Sequence, residues 1–110
     1  MEFRSGNIFL REMRFEKAGD VISGHEHNFD HTTYIVKGAV RIDRLDAEGN
    51  IERSIVKRAV DGFCWVLIKA GVRHQLTALE DNSLGHCIYS HRNAQGEIVQ
   101  DYDGWAPGYT

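Results

Sequence analysis

The chain is poor in the residues that constrain a backbone covalently: it has one proline, Pro107, and two cysteines in 110 residues. Cys64 and Cys87 stand far apart with no C-x-x-C spacing, which removes zinc ribbons and thioredoxin-type redox motifs. They read as free buried thiols in a reducing compartment, a disulfide between them being the alternative. Long apolar runs are missing too. The longest, Phe63 to Ile68, spans 6 residues, against the roughly 20 that cross a bilayer. The start of the chain carries Glu2, Arg4, Arg11, Glu12 and Arg14 instead of the apolar segment of a secretory signal. These absences lead to the expectation of a cytoplasmic protein without a membrane partner.

Charge of one sign is also lacking. Thirteen Lys and Arg against 16 Asp and Glu leave a formal charge of −3, with both signs interspersed. No basic stripe exists to neutralise phosphates, so nucleic acid is not an expected partner. There is no Ser/His/Asp order, no glycine-rich phosphate loop and no paired-carboxylate signature. Nor does any segment show a convincing 3.6-residue apolar period, which argues against helices.

Short β-rich runs between turn signals are plentiful. Along residues 8–16, Phe9, Met13 and Phe15 are spaced for one face, with charged neighbours alternating over the second half, and Lys17-Ala18-Gly19-Asp20 follows as a turn. Thr32 to Val36 turns at Lys37-Gly38 into Ala39 to Asp43, a hairpin. Residues 46–50 are a further turn before Ile51 to Lys57, where Ile51, Arg53 and Ile55 share a face. Gly62 precedes FCWVLI, read as a fully apolar strand, and Ala70-Gly71 leads into Val72 to Leu79. Leu84 to Ser90 and a hairpin at residues 93–96 onto Glu97 to Tyr102 complete the pattern. Strands punctuated every 8 to 12 residues predict an all-β sandwich or barrel, and the length fits a single domain over residues 1–110. The tail from about residue 103, with Trp105 and Tyr109 close to Tyr102, is expected to cover the barrel or to touch a second subunit.

The chemistry concentrates between Gly19 and Gly38. His25, His27 and His31 are all odd-numbered, so an extended chain can turn them to one side. Converging imidazoles are a usual way to present ligands to a divalent transition metal. His74 enters its strand after the Gly71 turn, with Leu76 and Ala78 at alternate positions, which would set a fourth imidazole on the inner wall of a barrel. His27 and His31 are four apart, but Asn28 stands where a zincin would need glutamate.

In these residues the chain resembles the cupin superfamily, whose first motif is G-x5-H-x-H-x3,4-E-x6-G and whose second is G-x5-7-P-x-G-x2-H-x3-N. Here Gly19, His25, His27, His31 and Gly38 keep the first spacing, and Gly62, Lys69, Gly71, His74 and Ala78 keep the second. Three positions depart: His31 stands for the usual glutamate, Lys69 for the turn proline and Ala78 for the final asparagine. The last two read as structural changes. The resemblance implies a small cupin-type β-barrel (double-stranded β-helix, or jelly roll) holding one divalent ion, Fe, Ni, Zn, Cu or Mn, through His25, His27, His31 and His74. Phe29, Thr33, Leu76 and either His86 or Tyr89 are the expected pocket walls.

With histidine replacing glutamate, neutral imidazoles leave the ion both of its positive charges, which favours anionic or enolate-like ligands. Cupins without that glutamate include dioxygenases that cleave diketones. The resemblance thus implies a metal-dependent enzyme on a small organic molecule, with dioxygenase-type oxidative cleavage first. A metal-dependent isomerase or lyase, a non-catalytic small-molecule sensor and a purely structural metal site are the alternatives. Cupins often pair through their sheets, so a homodimer is expected.

Overall fold

The computed structural model describes residues 2–23 and 29–97. They form β1 (Glu2–Ser5), β2 (Ile8–Phe15), β3 (Val21–Ser23), β4 (His31–Lys37), β5 (Ala39–Leu45), β6 (Ile51–Arg58), a 3-10 turn (Ala59–Asp61), β7 (Trp65–Ile68), β8 (Arg73–Ala78) and β9 (Ser83–Ser90). All pairings are antiparallel, in a five-stranded sheet ordered β1-β2-β9-β4-β7 and a four-stranded one ordered β3-β8-β5-β6. Because β9 lies between β2 and β4, and β8 between β3 and β5, the sheets are stitched by distant partners. The strand pattern predicted an all-β sandwich or barrel, and the jelly-roll closure is the one the cupin resemblance implied.

Side-chain alternation decides what fills it. Met13 and Phe15 of β2, Ile35 of β4, Val40 and Ile42 of β5, Ile68 of β7, and Leu76 and Ala78 of β8 point inward and form one buried cluster. Phe9 and Tyr89 form a second, with Phe29 and Cys87 against it. The first fills most of the barrel, from Phe15 and Ala78 to Ile68, the register partner of His31. The second lies beside the start of β4, where Phe29 meets His31.

β1, which the sequence pattern does not mark, pairs only with β2 and leaves Phe3 exposed. The run FCWVLI, expected as one strand, is a strand only from Trp65. Phe63, at φ 35°, and Cys64 precede the strand, and Trp65 and Leu67 face outward while Ile68 is buried. β7 is an edge strand, and only one of its faces meets the core. Leu67 ends a row of register partners across the outer face of the larger sheet, Phe3, Leu10, Ile88, Thr32 and Leu67.

Both cysteines are free. Burial pushes the Cys87 thiol up to about 12, against the pull of Arg11, so it stays protonated at neutral pH. No helix among the described residues is long and apolar enough to cross a membrane. The expected last strand beyond Glu97 and the aromatic tail lie outside the described residues.

The outer face of the smaller sheet contains a buried carboxylate. Asp43 accepts from Ser54 Oγ at 2.6 Å, Gln75 Nε2 at 2.9 Å and Arg41 Nε at 3.0 Å. Ser54 and Gln75 are its register partners, so one side chain ties β6, β5 and β8 together. Burial alone would raise its pKa, but the Ser54, Gln75 and Arg41 bonds and the Arg41 charge outweigh burial and hold the carboxyl below the ordinary range. A lowered folded pKa means stability that is present above the unfolded value, about 3.9, and lost as pH falls through the folded one. Asp43→Asn should therefore be less stable than wild type by about 1–3 kcal/mol at pH 7, with the gap closing below about pH 4. Urea midpoints at both pH values measure it; an equal gap at each would refute the role given to the charge.

Candidate metal centre

His31 is the first residue of β4 and His74 the second of β8, so they approach from opposite sheets. Both are inward and nearly buried, at 4 % and 5 % exposure, and their ring centres are 5.2 Å apart. His74 Nδ1 lies 3.2 Å from the Val72 carbonyl. A carbonyl only accepts, so Nδ1 carries the proton and the ring's lone pair lies on Nε2, the arrangement common among metal-ligating histidines.

Local structure fixes where these two strands begin. Asp30 accepts from the Ala70 N–H at 2.8 Å and lies 3.7 Å from Lys69 Nζ, which ties the start of β4 to the β7–β8 turn. The Ala70 bond, with the Lys69 charge, holds the Asp30 carboxyl below its ordinary range. Gly71, at φ 80°, completes the turn, and Val72 N–H bonds back to Lys69 O at 3.2 Å. Lysine in place of the motif proline thus begins a turn held by hydrogen bonds.

His25 and His27 lie outside the described residues. Among the described residues no group of three or more His, Cys, Asp or Glu is placed to hold a metal ion. The described part of the expected set is the His31–His74 pair, and its geometry suits an ion: two imidazoles on one tetrahedral centre, each about 2.0–2.1 Å from it through nitrogen, have ring centres roughly 5 Å apart.

The walls around the pair are aromatic. Phe29 is half-buried, edge-on to His31 at 6.2 Å between ring centres and tilted against Tyr89 at 4.6 Å. Tyr89 in turn lies tilted against Phe9 at 4.8 Å. Such contacts contribute about 0.5–1.5 kcal/mol each beyond area burial. Thr33 lies inward one step along β4 from His31, and Leu76 stands inward one step from His74 at the edge of the aliphatic cluster. His86 is on the opposite face of β9 from Tyr89, in register with Glu12 and Tyr34 on the outside of the sheet. Of that pair of expected wall residues, Tyr89 faces the interior.

A cavity of about 290 Å³ opens between the edge strands β6 and β7 and reaches His74. Ile42, Ile55, Val66 and Ile68 line it, and Arg44 and Arg53 stand in its wall. Sequence reasoning missed Phe9 and these two arginines. Arg44 shares its strand parity with Val40 and Ile42, a signal that would have turned it inward.

The chain matches no family model and no curated protein. Solved structures share its fold. An oxalate decarboxylase of Lactobacillus farciminis, in complex with formate, is 20 % identical with a TM-score of 0.63 over 91 % of this chain, which spans about a quarter (26 %) of that one. A cupin-2 domain protein of Shewanella frigidimarina is 17 % identical, with a TM-score of 0.59 over 80 % of this chain and 74 % of its own. KdgF of a Halomonas species is 22 % identical, with a TM-score of 0.60 over 84 % of this chain and 76 % of its own. The fold is the cupin barrel.

Proposed function

We propose that this protein is a metal-dependent enzyme acting on a small organic molecule, its divalent ion held by His25, His27, His31 and His74 and its reaction a dioxygen-dependent oxidative cleavage. The observation that carries this reading is the buried His31–His74 pair, with centres 5.2 Å apart and the His74 lone pair left on Nε2 by the Val72 bond. When bound among neutral imidazoles, the ion supplies a Lewis acid for anionic or enolate-like groups, and iron or copper would add redox reactivity toward dioxygen.

The residues around the pair bind and exclude. Phe9, Phe29 and Tyr89 present ring surface to an organic ligand and keep water from the histidines. Thr33 contributes a buried hydroxyl on the same wall. A lyase or isomerase would need a general base. Among the described residues Asp30, next to His31, holds the Ala70 N–H, and Asp43 is bonded on the far face of its sheet, so neither of these two carboxylates is given that role.

Metal analysis of protein purified without added ions, with oxygen uptake on diketones and flavonoids, tests it. Iron or copper with uptake is the expected result; zinc or nickel with none would overturn it. The expected homodimer is part of the same proposal. A two-fold pair needs one self-complementary patch, and the row from Phe3 to Leu67, apolar except for Thr32, spans all five strands of the larger sheet. Light scattering at a mass of one chain would remove it.

A further inference from the structure

The side cavity contains a charge arrangement that the metal site leaves unexplained. His74, Arg44 and Arg53 are successive register partners across β8, β5 and β6, on the inner face of the smaller sheet. All three line the cavity. Arg44 lies 3.6 Å from Glu52, with both side chains about half exposed. Arg53 makes no hydrogen bond or ion pair among the described residues. Two like charges directly opposite each other on one face destabilise a sheet, and a single exposed glutamate offsets only one of them.

The other charged groups at the cavity do not supply the missing anion. Lys69 is a further cation, its own partner being Asp30 at 3.7 Å, which does not line the cavity. Asp43 contributes to the wall, but its carboxylate is bonded to Arg41, Ser54 and Gln75 on the opposite face. Apart from Ser54, whose hydroxyl donates to Asp43, the remaining wall is aliphatic, with Ile42, Ile55, Val66, Ile68 and Val72 prominent in it. The cavity therefore has an apolar floor, an imidazole at its inner end and one uncompensated guanidinium at its mouth. Its volume of about 290 Å³ is near the lower end for small-molecule pockets, roughly 300–1,000 Å³.

We propose that this cavity binds a small monocarboxylate whose carboxylate pairs with Arg53 and Arg44 and whose apolar body lies along the aliphatic floor toward His74. A planar guanidinium matches a carboxylate with two parallel N–H···O bonds, and the aliphatic floor rewards a hydrocarbon body rather than a sugar or a bare inorganic anion. The assignment deepens the proposed function by naming a substrate class. It rests on the metal reading only for what lies at the cavity's inner end.

The test is calorimetric titration of the protein as purified, its metal content measured first, with benzoate and, separately, with its neutral analogue benzamide. Benzoate is expected to bind at least about 10-fold more tightly, the effect of one charge-assisted pairing. Arg53→Gln should remove that advantage without changing benzamide binding or metal content, and Arg53→Lys should restore part of it. Arg53 is exposed, so neither change threatens the fold. Equal binding of the two probes by the wild type would overturn the proposal. So would benzoate binding indifferent to Arg53, as an ion-held carboxylate would be. If the protein contains no metal yet benzoate keeps its Arg53-dependent advantage, the metal reading fails and the carboxylate site stands.

Discussion

His74→Ala is expected to abolish metal retention through purification and to weaken metal affinity by more than about 100-fold, beyond the 10–100-fold typical of losing an outer-shell partner. His31→Ala should behave in the same way. Both side chains are buried and their ring centres are 5.2 Å apart, so removing either takes away a donor that no neighbouring described carboxylate can replace. Metal content by mass spectrometry and affinity by competition with a chelator measure the effect. A second readout is thermal: an ion present at about 1,000 times its Kd stabilises the native state by about 4 kcal/mol. Wild type should gain that on metal addition, and both variants should not. If His31→Ala kept its metal while His74→Ala lost it, the site would be a three-histidine one and the substitution of histidine for glutamate would lose its chemical meaning.

The inward placement of His31 and His74 was legible because strand parity and motif spacing agree on it. His31, Thr33 and Ile35 alternate inward along β4, and His74, Leu76 and Ala78 along β8, so an outward polar neighbour marks each inward residue. Parity failed where both faces of a strand are apolar. In β9, Ser83 to Ser90, the outer face includes Leu84 and Ile88 while the inner includes Cys87 and Tyr89. Hydrophobicity alone therefore left His86 and Tyr89 as alternatives, and only the position of β9 between β2 and β4 settles which faces inward. β7 failed for a related reason. A run of six apolar residues reads as buried on both faces, but at a sheet edge Trp65 and Leu67 point out.

Charge misled in the opposite sense. Arg44 and Arg53 have inward parity, yet arginine in a strand is ordinarily assigned to solvent. Their placement follows from the opening of the barrel between β6 and β7, where neither edge has a neighbour to close it. Such an opening is a property of sheet order, which no single strand encodes.

Gly38 is where a motif residue is justified by packing that the motif does not reveal, and Gly38→Ala is expected to cost about 3 kcal/mol of stability. The residue lies at φ 78° between β4 and β5, and alanine there brings left-handed strain of about 1–2 kcal/mol. A Cβ would also collide with Ser83 Oγ and come within 3.0 Å of Ser83 Cα. Ser83 cannot easily yield, since its hydroxyl accepts from Ala39 N–H at 3.2 Å and donates to the Glu80 carbonyl at 2.9 Å. Gly71 is the control. It has nearly the same φ, 80°, but nothing lies within 4 Å of its would-be Cβ, so Gly71→Ala should cost only the backbone strain, about 1–2 kcal/mol. Urea denaturation of the two variants separates the contributions: equal losses would mean that conformation alone explains both glycines and that the Ser83 contact has no energetic weight. A larger loss at Gly38 places the constraint on that hairpin in the distant strand that packs over it, 45 residues further along the chain.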